Sequence, residues 1–207
     1  MQNDPIKNNL TETYNRYASE RETHQIDDWK IKRRASFLSL LQQENKRTFL
    51  EIGAGTGRDS KFFKDNGMDV TCIDMSPEMV KLCKQKGLTA HIMDMTNLEF
   101  SPNSFDSVYS FNSLLHISND EFRHVLENIR QVLAPNGLFY LGTYGGNEEF
   151  EGIWEKDSYI PKRFFSLRTD EQIQQITTQI FELLSFEHVT IEGNDSHFQS
   201  LILRKSI

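Results

Sequence analysis

Cysteine is scarce: Cys72 and Cys83 are the two thiols in 207 residues. They stand apart, one in a strand-like run and one in a helix-like run. They read as buried thiols of a reducing compartment rather than as a disulfide. Long apolar runs are absent too, and no stretch reaches the length of a membrane span. The first residues, Met1-Gln2-Asn3-Asp4-Pro5, show no basic and apolar signal segment, so a cytoplasmic protein is expected. Basic charge is in deficit. Lys and Arg number 23 against 30 acids, a net charge of -7, which argues against a nucleic-acid partner. The six histidines are scattered, none at ligand spacing beside a cysteine, so no metal is expected. What remains is a soluble globular composition, 37% hydrophobic with 15 Phe, on a chain long enough for one full core.

The informative stretch is Thr48-Phe49-Leu50-Glu51-Ile52-Gly53-Ala54-Gly55-Thr56-Gly57-Arg58. A short apolar run ends in three alternating glycines, and Asp59-Ser60-Lys61-Phe62-Phe63 then reads as helix. Strand, tight turn and helix in that order bring a ligand against main chain. No Lys-Ser/Thr pair follows the glycines, which excludes a phosphate-binding loop. The glycines fall as GxGxG, against the GxGxxG of a dinucleotide fingerprint. Glu51 adds a carboxylate at the strand end, where an anion is repelled and an ammonium or sulfonium is favoured.

Around this turn the chain alternates. Two helices are expected within 8–43, the second from about Ile26 to Leu41. Strands are expected at 48–52, 69–74, 88–93, 105–111 and 138–143. Helices fall between them at 57–65, from Ser76-Pro77 to about Gly87, and at 120–133. A helix over 169–184 and strands at 187–192 and 198–204 follow, the last two joined through Gly193-Asn194-Asp195 as an antiparallel pair. Residues 145–168 break the rhythm as an irregular aromatic insert over the strand ends. The reading is an α/β fold with a mostly parallel sheet and right-handed crossovers. Residues 1–45 form a helical cap of the same domain, which spans 46–207.

Glu51-x-Gly53-x-Gly55-x-Gly57 resembles motif I of the class I S-adenosylmethionine-dependent methyltransferases, and the likeness extends over roughly 46–205. The resemblance implies a Rossmann-like seven-stranded sheet whose last strand inserts antiparallel, with helices on both faces. It implies S-adenosyl-L-methionine as cofactor, held at the turn by Glu51, Gly53, Ala54 and Gly55. Asp74, which ends the second strand, matches the acid that accepts the ribose hydroxyls, with Met75 and Met79 as apolar neighbours. Asp94 and Met95 match the adenine site, and Phe111 and Asn112 the segment lining the methionine moiety. Arg58 is a candidate for the methionyl carboxylate, and equally for a surface pair with Glu51 or Asp59. Tyr14 and Tyr17 are candidate lid residues, equally readable as an aromatic face packed on the core.

Methyl transfer from a sulfonium is an in-line displacement that needs alignment and dryness more than acid catalysis. His116, just past the fourth strand, is the candidate base, and Tyr14 is a second catalytic candidate. His188 and His197 read as structural. Tyr144, Trp154, Phe165 and Arg168 are candidates for an aromatic acceptor pocket with one polar anchor. Glu148, Glu149 and Glu151 would attract a cationic amine. The Asn-Pro-Pro-Tyr-like signature of base methylation is replaced by Ser110-Phe111-Asn112-Ser113. The expected function is methyl transfer to O or N of a small-molecule acceptor. A tRNA or protein methyltransferase, a non-catalytic binding protein that keeps the fold, and a nicotinamide oxidoreductase stay open as alternatives, as does a monomer or homodimer.

Overall fold

The computed structural model describes residues 4–190 and 197–206. Five parallel strands, β1 Thr48–Ile52, β2 Asp69–Asp74, β3 Thr89–Ile92, β4 Phe105–Phe111 and β5 Leu133–Gly145, are joined to β8 Glu182–Val189 and β9 His197–Arg204. The sheet order is β3-β2-β1-β4-β5-β9-β8. Strand β9 runs antiparallel to both of its neighbours, as the family resemblance implied. The chain winds outward from β1 to β3, then restarts on the other side of β1 with β4. That reversal opens a crevice at the carboxyl ends of β1 and β4, the place where such sheets bind ligands.

Each strand feeds two cores by period-two alternation. Leu50, Ile52, Phe139, Leu141, Leu201 and Leu203 face α6 Asn119–Val132 and α7 Asp170–Thr178. Phe49, Tyr109, Leu138 and Tyr140 face α3 Asp28–Gln43 and α4 Arg58–Asp65, packing on Phe37, Leu41 and Phe63. A smaller cluster fixes α5 Pro77–Gln85 through Val80 and Cys83 on Cys72 and Ala90. Both thiols are free and buried. Ser76 caps α5 by accepting the Met79 N–H, with Pro77 in the first turn. No helix among the described residues is long and apolar enough to cross a membrane.

Several boundaries differ from the sequence reading. The N-terminal segment forms three helices: α1 Pro5–Arg16, α2 Ala18–Thr23 and α3. Asp4 starts α1 by accepting the Ile6 N–H at 2.9 Å. The helix expected over 169–184 stops at Thr178, and Glu182–Val189 is strand. Ile173, Ile176, Ile180 and Leu183 keep a helical rhythm, but pairing of Leu183 with Leu203 wins over local pattern. Strand β5 starts at Leu133 and absorbs Pro135 and Asn136, with a register shift opposite Phe105–Ser107. The insert is a hairpin, β6 Phe150–Ile153 against β7 Phe164–Leu167. The Gly193–Asp195 turn lies outside the described residues, as does the end of the strand expected over 187–192.

Candidate active site

The glycine turn follows β1 directly. Gly53, Gly55 and Gly57 all have positive φ. At Gly53 a side chain is doubly barred, because a Cβ would lie 2.2 Å from the Ser113 Cβ. Main chain ties the turn to the neighbouring strand: the N–H groups of Gly53 and Ala54 both donate to the Ile73 carbonyl. Asp74 completes the tie. Its Oδ2 accepts the Gly55 N–H at 2.8 Å and its Oδ1 the Ser76 N–H at 2.8 Å. Burial pushes its carboxyl up to about 6, against the downward pull of those two N–H groups. Glu51 is buried beneath the turn and accepts the Ser60 hydroxyl. Burial, reinforced by Asp59, holds its carboxyl well above the usual range.

A cavity of about 250 Å³ opens above this floor. Glu51, Gly53, Ala54, Arg58, Asp74, Met75, Met95 and Phe111 line it, so eight of the expected cofactor residues share one space. Asn112 lines it too, at a φ of 55°, and its buried Oδ1 has no partner among the described residues. A buried acceptor without a donor, an acid aimed at the floor and two methionines make a space suited to a polar ligand with an apolar ring. S-adenosylmethionine has that composition, and a cationic end bound here would draw the buried Glu51 carboxyl back toward its ionised form.

Of the other four expected cofactor residues, Gly55 belongs to the turn but not to the lining, and Tyr17, Met79 and Asp94 lie elsewhere. Asp94 does not line the cavity; Lys7 of α1 holds it at 2.9 Å, and its Oδ1 accepts the Thr96 N–H. Met79 is fully buried in the core. Tyr17 stacks on Tyr159 with centroids 4.3 Å apart and accepts the Ile160 N–H. The Arg58 guanidinium, although in the lining, donates to the His24 carbonyl.

On the opposite wall Tyr14 and His116 meet. Phe164 offers only its carbonyl to His116 Nδ1, at 2.6 Å, so that nitrogen carries the hydrogen. His116 Nε2 is therefore the acceptor, and the Tyr14 hydroxyl donates to it at 2.5 Å. Burial drives the imidazole down to about 3, which keeps it neutral. Arg163 donates to the Tyr14 oxygen at 3.3 Å and grips Asp157 through Nε and Nη2, at 2.8 and 2.9 Å. Thr13 and Arg16 donate to the carbonyls of Pro161 and Ile160. Helix α1 is thus fastened across the crevice to the insert.

The expected acceptor residues are not in the lining. Tyr144 packs edge-on against Phe198, and Trp154 against Phe150 and Phe165. Phe165 touches His116 from behind, with centroids 4.9 Å apart. Arg168 is buried over the Phe122 ring and donates to the Ile117 carbonyl at 2.9 Å. Burial lowers it to about 10. It stitches the insert to the loop after β4 and does not face the cavity. Glu149 and Glu151 are also engaged, accepting from Asn119, Gln172 and Ser166. Sequence reasoning missed Thr11, Arg21, Gln25, Lys30 and Glu121, which line the cavity. All but Glu121 sit on or between the N-terminal helices, and their polar spacing carries no motif. It also read His188 and His197 as scattered, whereas the fold brings both beside Asp170.

Residues 50–141 match the family model described as a methyltransferase domain. A phosphoethanolamine N-methyltransferase of Plasmodium falciparum is 23% identical over 188 residues, covering 81% of this chain and 71% of that protein. A malonyl-[acyl-carrier protein] O-methyltransferase of Hamiltonella defensa is 29% identical over 147 residues, covering 68% of this chain and 55% of that protein. The chain spans about half the length, or less, of most of the curated relatives it matches. In fold it resembles the 1,6-didemethyltoxoflavin-N1-methyltransferase of Burkholderia thailandensis, solved with S-adenosylhomocysteine. The TM-score is 0.72 at 19% identity, covering 96% of this chain and 88% of that one. The sheet order, the glycine turn and the match over residues 50–141 agree on a methyltransferase domain with the fold of the class I S-adenosylmethionine-dependent enzymes.

Proposed function

We propose that the protein transfers the methyl group of S-adenosylmethionine to an oxygen or nitrogen of a small-molecule acceptor. One observation carries this reading: a single cavity joins the Glu51–Gly53–Asp74 floor to the Tyr14–His116 wall. The bound cofactor supplies an activated methyl on a positively charged sulfur. The chain supplies position and dryness. Asp74, ionised, accepts the ribose hydroxyls on lone pairs that Gly55 and Ser76 leave free. The cationic end of the ligand draws the Glu51 carboxyl back toward its ionised form. Met75 and Met95 offer apolar flanks.

Tyr14 is the group best placed to orient the acceptor. Its single hydrogen goes to His116 and one lone pair takes the Arg163 N–H. The second lone pair is left for an N–H or O–H of the acceptor. His116 fixes Tyr14 and does not itself present a free base, since its Nε2 is occupied and its proton affinity is low.

The test is incubation of the protein and S-adenosylmethionine with a filtered metabolite extract, followed by mass spectrometry. A small molecule heavier by one CH₂, formed far more slowly with Tyr14→Phe, is the expected outcome. A parallel incubation of unfiltered extract with methyl-labelled S-adenosylmethionine, in which label entered only nuclease- or protease-sensitive material, would replace the proposal with the macromolecular alternative.

A further inference from the structure

Far along the sheet from this cavity, three ligand-type side chains converge from three elements. His188 lies near the end of β8, His197 opens β9 and Asp170 opens α7. Each offers one ligating atom, and these atoms lie within 4.8 Å of one another. The two rings sit 5.0 Å apart, centroid to centroid. The Nε2 of His197 lies 2.7 Å from Asp170 Oδ1.

The convergence has a structural cause. His188 pairs with Gln199, so His188 and His197 stand on the same face of the antiparallel pair, one diagonal step apart. The bridge between Gly146 and Thr169 lays the start of α7 over that face. Gly146 leaves room for the imidazole: a Cβ there would approach His197 Nδ1 to 3.0 Å. Gln199, fully buried, donates its amide to Asp170 Oδ1 at 2.7 Å and to the Arg168 carbonyl at 2.9 Å. The carboxylate is therefore oriented from behind by a second residue, the arrangement that metal ligands need.

We propose that Asp170, His188 and His197 form a binding site for one divalent transition-metal ion of the zinc class. Two imidazoles and a carboxylate suit zinc and its neighbours and give too few oxygens for calcium or magnesium. A tetrahedral ion with bonds of about 2.0–2.1 Å wants ligand atoms roughly 3.4 Å apart. The site reaches this if exposed His188 closes by a rotamer adjustment and the close His197–Asp170 pair opens slightly. The ion displaces the hydrogen that His197 Nε2 shares with Asp170; a protonated ring releases it to solvent and a neutral ring shifts to the Nδ1–H tautomer, so the ligand is a neutral imidazole in either case. Three protein ligands leave the fourth position to water. None of the three residues lines the cofactor cavity, so the ion acts as a clamp joining α7 to the β8–β9 edge.

The experiment uses the untagged full chain, stripped with a chelator and titrated calorimetrically with zinc chloride. One ion per chain is expected, with a raised melting temperature. His188→Ala, which removes only an exposed ring, and Asp170→Asn, which keeps a hydrogen-bond acceptor, should each weaken binding about tenfold or more. Cobalt(II) should broaden the ring protons of His188 and His197 and leave those of His24, His91 and His124 sharp. Binding unchanged in both variants, broadening at the other histidines, or no stoichiometric uptake would overturn the proposal.

Discussion

Asp74 carries two jobs that are visible separately. Its carboxylate ties the glycine turn to α5 and faces the cavity. Burial raises it to about 6 in the free protein, while ribose hydroxyls would bind the ionised form. The sign follows: cofactor affinity is full above pH 6 and falls as pH drops through that value. Titration calorimetry across pH 5–8 checks this, and Asp74→Asn should abolish the pH dependence along with most of the affinity. A flat profile in the native protein would assign the sugar contact elsewhere. His116 contributes no limb in this window, being neutral throughout. Gly53→Ala tests the turn itself. A methyl group placed against Ser113 at positive φ should cost at least ~2 kcal/mol in denaturant unfolding. At this scale the sequence was readable where a motif repeats in many proteins: Glu51, the glycines and Asp74. Arg168 was misread because an aromatic-rich insert with one cation looks like a pocket until the guanidinium is seen lying on Phe122.

At the scale of elements, α1 and the insert matter most. Neither belongs to the alternating strand–helix core, yet Tyr14, Thr13 and Arg16 on one bond Arg163, Pro161 and Ile160 on the other. The Tyr14–His116 contact completes the closure. Tyr14→Phe should therefore lower turnover by about 10- to 100-fold, since a small loss of alignment is costly. Cofactor affinity should change by less than about threefold. Steady-state kinetics beside cofactor titration separates the two, and unaltered turnover would reduce Tyr14 to packing. Strong periodic elements, such as α6 with Phe122, Val125, Leu126 and Ile129, were legible in the sequence. Residues 182–186 were not. Their apolar spacing fits a helix as well as a strand, and only β9 decides between them. The insert hairpin was hidden for a related reason, because Gly152 and scattered acids blur its alternation.

For the whole molecule, the order β3-β2-β1-β4-β5-β9-β8 is what makes the residue roles coherent. The reversal at β1 and β4 places Glu51, Gly53, Phe111 and Asn112 at one crevice, although they lie far apart in the chain. The α/β class and the parallel run of strands were legible from alternation of strand and helix. A helical cap was expected as well, but the contacts that hold it over the crevice were not legible, because long-range polar pairs such as Lys7–Asp94 leave no local signature. The same reversal leaves a nicotinamide dinucleotide as the rival occupant, which the GxGxG turn and Glu51 disfavour. Calorimetric titration of the purified chain with S-adenosylhomocysteine and, in parallel, with NAD is the most direct test. Saturable one-to-one binding of the former, lost in Asp74→Ala, with no uptake of the latter, is the predicted result. Binding of NAD alone, or of neither by well-folded protein, would contradict the account.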